Sequence, residues 1–331
     1  MKQFITPIAC VMLAALTSCS NDHVLYDYTK TENTPIEIAT SIGGVDVLTK
    51  AATNVYSGGD NGKHFDEETK VNVYIFENVE NGQTRVYNYG DNGKVEYTAD
   101  ANGVLKASPT NYFPGNGHGI DIYGIYPTSI EAKTQRQTFT VSTDQSAGDN
   151  NNANYKESDL MFAAKQTVKE RKTAPTLTFK HQLSKVIVKL KKGNGLNDTD
   201  LDGAEVKILN TKPACTIESV GETGMTGINA SGDTEAITVG TWDSSTTSLG
   251  LAAIVVPQTI NAGTDLIQVK LSNNVIYTYT TKSGDNQFKG FTSGNQHTFT
   301  LTLSTSGITV NAEISGWDTG IGDDNGEATL K

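Results

Sequence analysis

The sequence predicts an all-β fold, and we expect two consecutive β-sandwich domains of transthyretin-like or Greek-key type. Apolar residues recur at every second position in many short segments, and Gly, Asn and Asp separate these segments. Such alternation is typical of strands, and short strands joined by tight turns are typical of sandwiches and barrels. The chain has 331 residues, more than one hydrophobic core usually serves, which favours two domains.

Changes in composition place the predicted domain boundaries. We expect a signal peptide at residues 1–18, a polar tether at 19–35, an N-terminal sandwich at 36–172 and a C-terminal sandwich at 173–331. The charged segment that ends at Pro175 separates the two sandwiches, because proline seldom continues a regular strand.

The first predicted strand carries Ile36, Ile38 and Ile42 on one face, and after Gly43 and Gly44 the alternation resumes at Val45 and Val47, which makes five aliphatic side chains in all. The next strand, V-N-V-Y-I-F at 71–76, is expected to point Val71, Val73 and Ile75 into the core. Later, the apolar parity changes between residues 177–183 and 186–190, which predicts a bulge or bend near Ser184 and Lys185. Strands continue from there to I-T-V-N-A-E-I at 308–314.

The N-terminus resembles an export signal that ends in a lipidation site. Lys2 precedes an apolar stretch too short to span a bilayer, and L-T-S-C at 16–19 resembles a bacterial lipobox. Cleavage before Cys19 would make it the first residue of the mature chain, carrying acyl chains such as palmitate. Cys10 would leave with the signal peptide and Cys19 would be acylated. Cys215 would then be the one cysteine with a free thiol, so no intramolecular disulfide can form. We expect Cys215 to be a small buried side chain.

Charge and motifs exclude several classes of function. The formal net charge of −11 argues against binding the phosphate backbone of nucleic acid. The sequence contains no G-x-S-x-G, H-E-x-x-H, Walker A or G-x-G-x-x-G motif, and its histidines do not form a metal-ligand set. We therefore expect that the protein is not an enzyme, that it needs no cofactor and that it has no catalytic or metal-binding residue.

One acidic loop leaves a calcium question open. Asp198, Asp200 and Asp202 match the opening of an EF-hand loop, but the twelfth position is Leu209 where a bidentate Glu is required. A solvated loop is the alternative interpretation.

A glycan-binding surface lipoprotein is the alternative function. It requires exposed aromatic platforms, and the candidates are Tyr87, Tyr89, Trp242, Tyr277, Tyr279 and Trp317. The competing interpretation of these residues is packing between neighbouring strands.

Several segments together resemble the fimbrillin family, the Mfa-like lipoprotein pilins that build type V fimbriae of Gram-negative anaerobes. They are the lipobox, V-L-T-K-A at 47–51, S-D-L-M-F-A at 158–163, L-T-F-K-H-Q-L-S-K-V-I-V-K-L at 177–190, A-A-I-V-V-P-Q-T-I at 252–260 and I-S-G-W-D-T-G at 314–320. Their order and spacing match over nearly the whole mature chain.

The resemblance implies a fimbrial subunit or surface adhesin at the outer membrane, which has other fimbrial subunits as partners and contacts lipid through Cys19. In assembling members, a protease removes the first strand, and a C-terminal strand of the next subunit fills the opened groove. On this chain the cut would fall between Lys50 and Ala51 and release the strand that carries the five aliphatic residues. The candidate donor residues are Val310, Ala312, Ile314 and Trp317. Stalk, tip, anchor and non-polymerising roles all remain open.

Overall fold

The computed structural model describes residues 34–43, 64–78, 89–146, 154–169, 174–245, 247, 250–283, 288–316 and 328–329. The regular structure in these ranges is almost entirely β-strand, which confirms the predicted class. The first eight strands are β1 Ala39–Ile42, β2 Lys70–Glu77, β3 Lys94–Ala99, β4 Leu105–Ala107, β5 Ile120–Tyr126, β6 Gln137–Thr140, β7 Met161–Val168 and β8 Thr176–His181.

Fifteen further strands and one helical turn follow. They are β9 Ser184–Lys192, α1 Asp198–Leu201, β10 Glu205–Thr211, β11 Ala214–Ile217, β12 Ser219–Gly221, β13 Gly224–Thr226, β14 Asn229–Ser231, β15 Glu235–Thr241, β16 Leu251–Val255, β17 Gln258–Thr259, β18 Asp265–Lys270, β19 Ile276–Thr280, β20 Gly290–Phe291, β21 Asn295–Ser304, β22 Gly307–Gly316 and β23 Ala328–Thr329.

Three sheets contain most of these strands. The first has seven strands in the order β1-β8-β7-β5-β2-β3-β4, where β1 runs parallel to β8 and the other neighbours are antiparallel. A five-stranded sheet has the order β16-β9-β21-β22-β23, and a four-stranded sheet has the order β15-β10-β18-β19. The remaining strands form small sheets of two or three strands.

The central strands β2 and β5 of the seven-stranded sheet are buried on both faces, because a separate apolar cluster covers each of them. Val71, Val73 and Ile75 of β2 point into a cluster whose buried members lie between Ile36 and Phe179, as predicted. The alternate residues Tyr74 and Phe76 point into a second cluster, which continues through the later strands. The run at 71–76 therefore has no solvent face, and its aromatic residues are as structural as its valines.

The parity change near Ser184 marks a transfer between sheets. Leu177 and Phe179 of β8 belong to the first cluster, whereas Val186 and Val188 of β9 belong to the second. Because β8 and β9 lie in different sheets, the chain must change the face it buries between them. The predicted bend is thus a break between two strands.

Contacts link the first and second halves of the sequence. Strand β8 lies beyond residue 172 but pairs within the seven-stranded sheet, and β6 pairs with β11 over four residues. The domain bounds 36–172 and 173–331 stay a prediction. Within the described ranges, no helix has the length and apolarity needed to cross a bilayer.

Candidate functional site

The candidate site is the slot that the early segment at residues 34–43 occupies, and we call this stretch the first segment. On one side it bonds to the β4 margin of the seven-stranded sheet. The Ile36 N–H donates to the Asn111 carbonyl at 2.8 Å, and Ile38 exchanges backbone bonds with Leu105 at 3.1 and 2.8 Å. The isolated bridge between Ile38 and Leu105 is antiparallel.

On its other side the first segment bonds to the β8 margin of the same sheet. The Ala39 N–H donates to the Pro175 carbonyl at 2.8 Å, and the Gly43 N–H donates to the Phe179 carbonyl at 2.7 Å. One short stretch therefore satisfies backbone groups at both margins and closes the sheet on itself. Without it, both margins would present unpaired N–H and C=O groups.

The side chains of the first segment complete the first core. Ile36 is 2% exposed and Ile38 is fully buried, and Ile42 packs against the same cluster from a half-buried position. The Tyr97 hydroxyl donates to the Ile36 carbonyl at 3.3 Å, and the Thr40 hydroxyl donates to the Gly103 carbonyl at 2.7 Å. Ile36 and Ile38 therefore fill two deep apolar pockets of the slot. Burying one aliphatic side chain stabilises the folded state by about 1.5–3 kcal/mol.

Several sequence-predicted site residues lie outside the described residues. They are the lipidation residue Cys19, the cleavage pair Lys50 and Ala51, the strand residues Val45 and Val47, and Trp317.

Three of the four candidate donor residues, Val310, Ala312 and Ile314, lie in β22, which is paired within its own sheet. Ten residue pairs join β22 to β21, and Val310 and Ala312 are buried in the second core. Ile314 lies on the same strand but is 43% exposed. As a donor, β22 would have to leave β21 or present a free edge.

The first segment and β22 share a pattern that sequence analysis missed. Counted from Ile36 in one stretch and from Ile308 in the other, aliphatic residues occupy the first, third and seventh positions, with a small residue at the fifth. The two series are Ile36, Ile38, Thr40, Ile42 and Ile308, Val310, Ala312, Ile314. Within each series the side chains point to one face of the strand, because residues two apart lie on the same face. Aligning the two strands by parity would have revealed it.

The three aspartates of the acidic loop do not share one site. Asp198 pairs with Lys192 at 2.8 Å, Asp200 accepts a bond from the Asn197 N–H, and Asp202 accepts one from the Ser244 N–H. Asp198 and Asp200 belong to the helical turn α1, whereas an EF-hand requires an open loop there. Calcium binding by these residues stays untested, and they bond to three separate protein groups.

Three of the aromatic platform candidates are buried, which agrees with the interpretation of packing between strands and not with that of exposed platforms. Tyr89, Trp242 and Tyr279 contribute their rings to the cores, and Tyr277 is half-buried with its hydroxyl bonded to the Ser304 carbonyl. Period-two alternation placed Trp242, Tyr277 and Tyr279 on strands but could not say which face of each strand the opposing sheet covers. Tyr87 lies outside the described residues. The three buried rings offer no stacking face to a sugar, and glycan binding stays a prediction.

Burial shifts the pKa values of two titratable groups, the Cys215 thiol and the His297 imidazole. Cys215 is buried as expected, and burial raises the pKa of its thiol to about 11, which keeps it protonated and unreactive. His297 is enclosed by Phe288 and Phe291, and burial lowers the pKa of its imidazole to about 4. Its Nε2 accepts a bond from the Thr292 N–H at 3.3 Å, which fits a neutral ring.

We expect stability to fall on acidification because of His297. The unfolded chain binds a proton near pH 6.5, whereas the folded chain resists protonation down to about pH 4. Stability from this group is therefore complete above pH 6.5 and declines towards pH 4, by about 1.4 kcal/mol per pH unit. Urea unfolding of the native protein and of His297→Phe at several pH values measures it. Equal slopes in the two proteins between pH 6.5 and 4 would contradict the prediction.

The fold and the slot define an all-β protein whose sheet is completed by an early, short strand. A sequence model described as fimbrillin-like matches residues 49–317. The chain belongs to the fimbrillin-like family.

Individual relatives agree with this assignment. The chain is 28% identical over 336 aligned residues to a Bacteroides uniformis protein named putative fimbrium subunit Fim1C, covering 95% of this chain and 96% of the relative. A crystal structure of a putative cell adhesion protein from Bacteroides uniformis has a TM-score of 0.56 and 25% identity, covering 85% of this chain and 99% of that one. Another, from Bacteroides ovatus, has a TM-score of 0.60 and 17% identity, covering 88% and 99%, and shows the fold alone.

Proposed function

We propose that this protein is a fimbrial subunit or fimbrillin-like adhesin that assembles when a strand of another subunit replaces its first segment. One observation carries the proposal: residues 34–43 bond to both margins of the seven-stranded sheet and bury Ile36 and Ile38 between them. Membership of the family supports a structural and adhesive role.

Removal of the first segment would leave the protein with a specific need. Backbone groups at Leu105, Asn111, Pro175 and Phe179 would lose their partners, and two aliphatic pockets would open. An incoming extended strand supplies N–H and C=O groups together with alternate side chains, so it can satisfy both. A contact of this kind joins different surfaces of successive subunits and extends into a filament.

The proposal includes how the protein reaches its site of assembly. We propose export, lipidation at Cys19, location at the outer membrane or cell surface, and cleavage between Lys50 and Ala51. The cut would release one continuous piece that contains the first segment. An uncut subunit would keep both lipid and strand, and would serve as an anchor.

The donor in this proposal is the C-terminal strand that contains Val310, Ala312 and Ile314. This choice of donor is supported by the sequence of β22, which repeats the aliphatic spacing of the first segment. If β22 leaves β21 in order to donate, ten residue pairs must open, so exchange by this route is expected to be slow.

The proposal can be tested by cutting the folded protein after the first segment and adding a peptide that competes with this segment for the slot. A recognition site for a sequence-specific protease is inserted after Lys50 in the chain from residue 20, and the protein is cut in its folded state. We expect the N-terminal fragment to stay bound until a peptide of residues 306–316 displaces it, as followed by native mass spectrometry. A peptide with Val310→Asp and Ala312→Asp is the matched control and should release nothing.

Two results would overturn the exchange proposal. One is a fragment that dissociates on dilution while the remaining protein keeps its thermal stability, since the first segment would then fill no essential slot. The other is equal displacement by the peptide and by its aspartate control, since the pockets would then select no aliphatic side chains.

A further inference from the structure

Strand β22 lies near one margin of the five-stranded sheet, and its two edges differ. Its inner edge pairs with β21 along the full strand, from Gly307 opposite Ser304 to Gly316 opposite Asn295. Its outer edge pairs with β23 at two positions, Asn311 with Thr329 and Ala312 with Ala328. In the part of the chain that the structure describes, no other strand pairs with this outer edge.

We infer that the outer edge of β22 is a self-pairing surface for a second copy of this chain, and that β23 covers it in the single molecule. The sequence of β22 is suited to antiparallel pairing with itself about Asn311. This register places Ile308 opposite Ile314 and Val310 opposite Ala312, so each aliphatic residue meets another across the strands.

Charge and exposure fit the same register. Glu313 is the one charged residue of β22, and it falls opposite Thr309, so no like charges meet. Ile314 is 43% exposed in the single molecule, and the second copy would cover it with Ile308, which packs against the second core. A long strand edge with an exposed aliphatic residue is a surface that proteins normally protect.

Strand β23 sits at the centre of this surface. It pairs with Asn311 and Ala312, the residues about which the two copies would meet, so a molecule with β23 in place cannot pair with another. The tail at 317–331 that carries β23 is rich in glycine and acidic residues, a composition with low strand propensity. In the described residues the cover is two pairs long, and a tail of this composition favours its displacement.

The predicted assembly is closed. Two β22 edges related by a two-fold axis use the same surface on both copies, so pairing stops at a dimer with one continuous sheet. This distinguishes it from strand exchange at the slot, which uses different surfaces on the two partners and gives a filament. The inference does not depend on the proposed function, because the first segment takes no part in it.

Removal of the tail tests the inference. The chain from residue 20 to 331 should be a monomer in light scattering after size exclusion, whereas the chain from 20 to 316 should show a doubled mass. In the shortened chain, Ile314→Asp should restore the monomer because it places a charge opposite Ile308. The matched control is Ile276→Asp, on an aliphatic residue of β19 that is 54% exposed, and it should leave the dimer intact.

A second variant covers the case in which the shortened chain fails to fold. Ala328→Pro in the chain from 20 to 331 removes the N–H of a β23 residue and should loosen the cover and raise the dimer fraction. The inference is overturned if both variants stay monomeric with unchanged thermal unfolding, or if the dimer survives Ile314→Asp. A ladder of higher oligomers in place of a dimer would also overturn it, because a two-fold contact cannot extend.

Discussion

Replacing Ile38 with alanine is expected to lower the free energy of unfolding by about 2–5 kcal/mol. The Ile38 side chain is fully buried in the first core, and its backbone exchanges two bonds with Leu105. Truncation removes buried methyl and methylene groups and leaves a cavity, which is the usual origin of losses of this size. Equilibrium unfolding in urea measures the change.

Ile276→Ala is the matched control for this prediction. Ile276 lies on β19 and is 54% exposed, so its truncation should change the free energy by less than about 0.5 kcal/mol. Equal effects of the two substitutions would mean that the first segment contributes no more to stability than an exposed strand residue. The slot would then need no strand to fill it.

The second large effect is expected at Gln145, whose side chain acts as a short piece of strand. It is fully buried, and its amide exchanges two bonds of 2.8 Å with the backbone N–H and C=O of Ile254 in β16. Its Nε2 also donates to the Ser142 carbonyl at 3.1 Å. One side chain thus satisfies two backbone groups at the margin of the five-stranded sheet.

Gln145→Leu should lower the free energy of unfolding by about 2–5 kcal/mol. It keeps the volume roughly constant but leaves a buried donor and a buried acceptor of Ile254 unpaired, at about 1–2.5 kcal/mol each. Gln182→Leu is the control, since the Gln182 amide bonds near the surface to the Lys180 carbonyl. Urea unfolding of both variants measures the difference, and a Gln145 variant as stable as the native protein would contradict the assigned bonds.

The sequence could predict strands better than the surfaces they cover. Alternation placed Leu177 and Phe179 on one buried face and Val186 and Val188 on another, and the structure has a strand break between them. A local pattern indicates which residues are buried. It does not indicate which sheet they belong to or which core they enter, because that depends on residues far away in the chain.

Gln145 shows the same limit from the polar side. It precedes a polar stretch at 147–153, and nothing in its neighbourhood indicates burial. Its partner Ile254 lies 109 residues away, so only the folded chain brings together the amide and the margin that it completes. For Tyr89, Trp242 and Tyr279 the sequence likewise left two interpretations, exposed platform and packing between strands, and the folded chain buries all three rings.

For this protein the sequence by itself determined the all-β class, the early strand with Ile36 and Ile38, the buried Cys215 and the resemblance to fimbrillins. These follow from local periodicity and from ordered motifs, which need no long-range contact. Only the tertiary structure decided that residues 34–43 bond to both margins of one sheet, that β22 is held by β21, and that β23 covers its other edge. The physical reason is that two distant strands pair only when the chain between them closes into a loop that brings them together. No local pattern encodes which loops close.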